Sequence, residues 1–200
     1  MNRLNSLLSS PKQRNAQNNV ASGVYVLVLS LARAKRVTVG KLGTIEFVPG
    51  FYAYVGSALG PGGFKRVARH LDVSAGRNKT HKWHIDHLSA VADIVGIGEI
   101  TTGDRIECEM ARSLALNPAL TSIMGFGSSD CRCCSHLFYA RHLHDLENAM
   151  QRLLDDQCQE TRCLSVDVEK LREGCAKPEQ SPTHNPFEAA NRGREQRRMA

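Results

Sequence analysis

Tyr25 stands early in the apolar run from Val24 to Leu31, in the tripeptide Gly23-Val24-Tyr25, and Tyr54 stands near the end of the run from Phe51 to Val55, in Tyr54-Val55-Gly56. A phenol ionises near pH ~10 in water, so either residue acts as a base only where cations or a metal favour the phenolate. Cations are close in sequence. Tyr54-Val55-Gly56 opens onto a glycine loop, Ser57-Ala58-Leu59-Gly60-Pro61-Gly62-Gly63, and then a basic helix, Phe64-Lys65-Arg66-Val67-Ala68-Arg69-His70-Leu71. Between Gly23 and Lys82 the chain has ten basic residues against two acidic ones, Glu46 and Asp72, while the whole 200-residue chain carries only +6. Such a positive half suits a polyphosphate partner. It equally fits the plainer reading of a solvated surface on a basic protein.

Further along, two carboxylates compete for the role of a cation ligand. Glu107 lies three and four residues before Met110 and Ala111, beside the apolar face of a helix, whereas Glu109 precedes Arg112 and Ser113 on the solvent side. Glu107 is therefore the inward one. Asp104 three residues earlier also reads as the start of a capping box, which would turn the same carboxylate onto backbone amides. In Trp83-His84-Ile85-Asp86, the imidazole of His84 is placed to take a proton from water or to orient Tyr25. The run Ser128-Ser129-Asp130-Cys131-Arg132-Cys133-Cys134-Ser135-His136 has three readings. Cys131, Cys133 and His136 could bind zinc, with Cys134 or His84 as a fourth ligand. However, Cys-x-Cys is tighter than the usual zinc spacing and lacks a second pair. The thiols are expected instead to pack as small apolar groups, or to touch an active site.

These segments resemble the GIY-YIG nuclease superfamily and, in particular, its Uri branch, the DUF123 proteins. The match is carried by the two tripeptides, the glycine loop with its basic helix, Trp83-His84-Ile85-Asp86, Glu107-Cys108 and the run from Gly125 to Tyr139, and covers roughly Gly23 to Tyr139. The resemblance implies that Tyr25 and Tyr54 are the motif tyrosines, the first helping to activate water. It aligns Arg66 with the arginine that faces the scissile phosphate, leaving Lys65, Arg69 and His70 to follow a nucleic-acid backbone. Glu107 becomes the ligand of a Mg²⁺ or Mn²⁺ ion. Ser129 or Asp130 stands near where the family has an asparagine that completes the site. Twenty-eight residues separate the two tripeptides, far more than the short hairpin typical of these nucleases, so an insertion is expected.

The elements that must position these groups follow from periodicity. Val24 to Leu31 reads as a central strand covered on both faces. Val37-Thr38-Val39 and Thr44 to Val48 read as an inserted hairpin. Phe51 to Val55 alternates, with Phe51, Ala53 and Val55 on one side and Tyr52 and Tyr54 on the other. Phe64, Val67, Ala68 and Leu71 form the apolar stripe of the basic helix, with Lys65, Arg66, Arg69 and His70 on the opposite arc. Helices are expected over His81–Val91, Asp104–Leu116 and from His142 onward, and a third main strand over Asp93–Ile100. The predicted fold is α/β (α+β), a small three-stranded antiparallel sheet with an inserted hairpin, flanked by helices.

Length and composition allow one full-sized core. The expected organisation is a disordered arm over 1–21, a nuclease-like domain over 22–140, a helical extension over 141–175 and a disordered basic tail over 176–200. Seven cysteines without a secretory signal point to a reducing, cytoplasmic setting. No stretch is apolar enough for a membrane span. The expected function is a Mg²⁺- or Mn²⁺-dependent endonuclease acting on nucleic acid, DNA before RNA. The alternatives are a non-catalytic nucleic-acid-binding module on the same fold and a zinc-stabilised interaction protein.

Overall fold

Side-chain alternation along Gly23–Leu31 (β1) sends Val24, Val26 and Val28 to one face and Tyr25, Leu27 and Leu29 to the other, and both sets are buried. A strand that is apolar on both faces must be covered on both. In the computed structural model, which describes residues 21–158 and 165–166, the rest of the chain does this. The elements that follow are β2 (Lys35–Thr38), a 3-10 turn at Gly40–Leu42, β3 (Thr44–Phe47), β4 (Gly50–Ser57), α1 (Lys65–Ser74) and α2 (His84–Ser89). After them come β5 (Asp93–Thr101), α3 (Glu107–Ala115), β6 (Thr121–Ser122), β7 (Leu137–Ala140), α4 (Leu143–Cys158) and β8 (Ser165–Val166). The expected arm and tail fall outside the described residues, except for the arm's last residue, Ala21.

Among the described residues, the fold is mixed α/β with an antiparallel sheet and four helices. The sheet is six-stranded in the order β6-β7-β4-β1-β5-β8, larger than the three strands expected. The added strands, β6, β7 and β8, are short pieces of two to four residues whose sequences carry too few alternations to be read. β8 lies within the span expected to be helical and pairs with Gly98 and Glu99. The segments expected to form the inserted hairpin overlap β2 and β3, which pair with each other in a sheet of their own, while Val39 and Val48 fall outside these strands.

Each face of the large sheet has its own core. Val24, Val26, Val28, Phe51, Ala53 and Val55 meet Met110, Ala111 and Leu114 of α3 and Leu146, Ala149 and Met150 of α4. On the opposite face Tyr25, Leu27, Leu29 and Tyr52 meet Val67 of α1, Ile85 and Leu88 of α2, and Phe126. α1 is rotated relative to its expected phase. Its buried residues are Val67, His70 and Val73, whereas Leu71 is 36 % exposed. A polar ring displaces a leucine from the interior here because both of its nitrogens find partners there, as set out below.

Strand directions gather the candidate residues at one end of the sheet. Val24 pairs with Ser57 and Ile100, so the start of β1 lies beside the ends of β4 and β5. The loops into α1 and α3 therefore leave from the same end. Backbone bonds fasten it: Ala58 N–H to Gly23 O at 2.7 Å, Phe64 N–H to Ala21 O at 3.1 Å, and Thr102 N–H to Ser22 O at 3.2 Å. Leu137 of β7 pairs with Tyr54, which brings the segment ending at His136 to this end as well.

Gly56, opposite Tyr25 on β4, shows how closely the two strands are matched. A Cβ there would overlap the Tyr25 ring and lie 2.5 Å from its hydroxyl oxygen. Gly56→Ala is expected to displace that ring and to cost about 1–3 kcal/mol, as overpacking of a filled core does. Urea denaturation of both proteins measures this; equal midpoints would show that the Tyr25 ring moves freely.

Candidate active site

Asp86 is fully buried, and a carboxylate removed from water needs donors around it. Its Oδ1 accepts from His70 Nδ1 at 2.9 Å, and its Oδ2 accepts from Arg69 Nη1 at 2.7 Å and from the amides of Lys82 at 2.7 Å and Trp83 at 3.0 Å. The Trp83 bond also caps α2 at its first turn. Burial alone raises the pKa of this carboxyl, but the bonds from His70, Trp83, Arg69 and Lys82 outweigh it and hold the group well below the usual range. Asp86 is therefore a carboxylate.

With its Nδ1–H given to Asp86, His70 presents Nε2 to the Tyr25 hydroxyl, which donates to it at 2.9 Å. Three buried groups, Tyr25, His70 and Asp86, thus form one hydrogen-bonded chain from β1 through α1 to α2. Burial, then the neighbouring Tyr54 phenol, pushes Tyr25 well above the ordinary phenol value; Arg66 opposes this and Asp86 adds to it. Tyr54 is raised too, chiefly by burial, against the pull of Arg66. Both are neutral phenols at neutral pH, so the surplus of cations does not supply the phenolate that the sequence reading required. The two rings lie 6.3 Å apart, and Tyr54 also meets the edge of Phe126 at 6.2 Å.

The cations divide by what already holds them. Arg66 Nη1 donates to Ser57 O at 2.7 Å, and its guanidinium lies 5.0 Å from the Trp83 ring centre. Arg69 is committed to Asp86 and, at 2.6 Å, to Thr80 O, and it stacks 4.7 Å from the same ring. Lys82 Nζ lies 5.0 Å from the ring, and Lys65 is exposed. Three cations thus gather at the Trp83 ring. His70, expected on that polar surface, is instead buried beneath it. His84 does not orient Tyr25; its Nδ1 accepts the Gly127 amide at 3.0 Å and its ring meets Phe126. Burial, and then His87, lowers its pKa, which keeps that acceptor available. Gly127, at φ +72, fits only as glycine, since a Cβ would meet Tyr54 Cε2 at 2.9 Å.

Glu107 begins α3, with Ile106 and not Asp104 at the cap position, and the Asp104 amide donates to Thr102 Oγ1 at 3.0 Å. Glu107 is half-buried while Glu109 is exposed, as helix phase predicted. Among the described residues, the buried Glu107 Oε2 has no hydrogen-bond partner. An orphaned carboxylate oxygen fits a hard divalent cation. Ser129 and Asp130 are exposed, and the charge of Asp130 acts on the Tyr54 phenol.

Next to Glu107, Cys108 joins Cys131, Cys133 and His136 in a group whose ligand atoms all lie within 4.8 Å of one another and could hold a metal ion. Cys108, more than twenty residues before the Cys131–His136 run, completes a four-donor group that Cys-x-Cys alone lacks. Cys108, and neither of the two residues expected, stands with the other three, since Cys134 Sγ faces Ser122 Oγ at 3.8 Å and His84 bonds Gly127. Burial and the Cys133 and Cys131 thiols push Cys108 up to about 12. Sequence reasoning thus missed His70 and Cys108 in these roles. Their signals were weak: His70 keeps i, i+3 register with Val67 and Val73, and Cys108 directly follows the inward glutamate.

The fold and site together define an α/β protein that gathers a tyrosine–histidine–aspartate chain, a stacked arginine and a cysteine–histidine cluster at one end of an antiparallel sheet. The chain belongs to the family described as "Domain of unknown function DUF123", whose profile matches residues 24–159. No curated protein and no solved structure matches it. Among the described residues, no helix is long and apolar enough to cross a membrane.

Asp86 gives a pH-dependent test. Its folded pKa is depressed, so its contribution to stability is complete above the unfolded value of about 3.9 and is lost as pH falls through the folded value. Asp86→Asn leaves buried donors unmatched and is expected to cost about 3–5 kcal/mol at pH 7. In urea denaturation the gap to the parent protein should stay constant above about pH 5 and narrow below about pH 4; a gap that ignores pH would contradict the assignment.

Proposed function

We propose that the chain is a divalent-cation-dependent endonuclease of the GIY-YIG superfamily, Uri branch, hydrolysing phosphodiester bonds in nucleic acid, DNA before RNA. The observation that carries this reading is the Tyr25–His70–Asp86 chain, because it answers the chemical difficulty of a neutral phenol. The Tyr25 oxygen takes a proton from the attacking water while its own proton passes to His70 Nε2, so no free phenolate forms. Asp86 holds the imidazole in the right tautomer and balances the charge it gains, as the aspartate of a serine–histidine–aspartate triad does. Arg66, with one donor on Ser57, turns its remaining donors to the non-bridging phosphate oxygens. Glu107 Oε2 would hold Mg²⁺ or Mn²⁺, and such an ion supplies Lewis-acid charge to the phosphate and its leaving oxygen when bound. Exposed Lys65 and Lys82 extend the positive surface along a backbone.

A second reading is favoured by the 2 % exposure of Tyr25. In it the buried chain only braces α1 against α2, and the basic helix grips phosphate without cutting. Cleavage of labelled duplex, single-stranded, flap and branched substrates with Mg²⁺, Mn²⁺ or chelator separates the two. Tyr25→Phe should lower cleavage by about 10²–10⁴-fold with binding retained, the usual effect of losing a general base. Glu107→Gln should abolish cleavage while Glu109→Gln preserves it. Lys65→Ala with Arg66→Ala should flatten the dependence of log affinity on log salt, by about 0.9 per lost phosphate contact. No cleavage of any substrate with either ion, together with salt-dependent binding, establishes the second reading.

A further inference from the structure

We propose that Cys108, Cys131, Cys133 and His136 form a structural zinc site that braces the end of the sheet carrying Tyr54 and Glu107. The inference does not rest on the nuclease reading. Zinc bonds of about 2.3 Å to sulfur and about 2.0 Å to nitrogen, at tetrahedral angles, separate ligand atoms by roughly 3.5–3.8 Å. His136 Nε2 lies 3.3 Å from Cys131 Sγ and 4.0 Å from Cys108 Sγ, which brackets that range, and no pair in the group exceeds 4.8 Å. All four cysteines of this region are free thiols, so no disulfide removes a donor.

The histidine supplies a second, independent sign. His136 Nδ1 lies 3.2 Å from Val55 O and donates its proton there, which leaves Nε2 unprotonated and aimed at the sulfurs. A ligating histidine is oriented in this way, its other nitrogen fixed by a backbone carbonyl. With four protein donors the set is closed, as in structural rather than catalytic zinc sites. The narrow Cys131-Arg132-Cys133 spacing is no obstacle, because the segment is irregular and the remaining donor comes from α3.

The position of the cluster gives it a task. Cys108 follows Glu107 in the first turn of α3, and His136 is fastened to β4 at Val55, the residue after Tyr54. One ion would therefore join α3, the segment before β7 and β4 at the candidate active site.

The test uses the full chain purified without added metal. Elemental analysis should find one zinc per chain. It should persist when Cys134, Cys158, Cys163 and Cys175 are all replaced by serine, and disappear in Cys131→Ser with Cys133→Ser. Because that double variant can fail to fold, the parent chain is also stripped of metal and titrated with Co²⁺ under reducing conditions. Thiolate-to-cobalt charge-transfer absorption and tetrahedral d–d bands, saturating at one equivalent, are expected. A parent chain that carries no zinc and gives no such bands, or a four-serine variant that loses its metal, overturns the proposal.

Discussion

A carboxylate out of reach of water sets the terms for half of this molecule. Asp86 accepts bonds from His70 and Arg69 on α1 and from the amides of Lys82 and Trp83 just before α2. Losing one partner of such a buried group costs several kcal/mol, on the order of 3–5. The rotation of α1 follows from this. His70 must face inward to reach Asp86, which carries Val67 and Val73 in with it and leaves Leu71 partly exposed. The same demand places Arg69 against Trp83 and leaves Arg66, one turn earlier, at the mouth of the glycine loop. An apolar stripe alone would have chosen a different rotation.

The second constraint is topological. Because β1 is antiparallel to both neighbours, its start meets the ends of β4 and β5, and two helices must begin where the two strands finish. Residues far apart in sequence are thereby brought to one edge. Tyr25 at the start of β1, Arg66 after β4 and Glu107 after β5 are placed by strand direction, before any side chain chooses a rotamer. Pairing of β7 with β4 then adds His136, whose ring reaches the Val55 carbonyl. The cysteine cluster thus reaches β4 at Val55, next in sequence to Tyr54, whose ring lies 6.3 Å from that of Tyr25.

Much of this was readable from sequence where periodicity was long. The nine residues of β1, the alternation of β4 and the inward phase of Glu107 relative to Glu109 all follow from simple spacing. Short or context-dependent features were not. β6 and β7 are too brief to carry a pattern, and α2 begins at His84 rather than His81 because Asp86 takes the Lys82 and Trp83 amides. His70 was read as surface because a histidine among arginines scores as polar, and only its partners Tyr25 and Asp86 make it an interior residue. Cys108 was invisible as a ligand for the same reason. Its three companions lie more than twenty residues away, and the pairing depends on α3 packing beside the segment before β7.

The distribution of charge carries the last step. Ten cations between Gly23 and Lys82 make an ionised tyrosine possible as far as sequence goes. Yet Arg66 lowers the Tyr25 pKa, while burial, the largest influence, and then Tyr54 and Asp86 raise it. Exposed Lys65, Arg77, Lys79 and Lys82 are screened by water and salt over roughly 8–10 Å. Their charge faces solvent and not the buried phenol. A buried tyrosine that is to accept a proton must therefore pass its own to a neighbour, and His70 Nε2, at 2.9 Å and backed by a carboxylate, is the acceptor this fold provides.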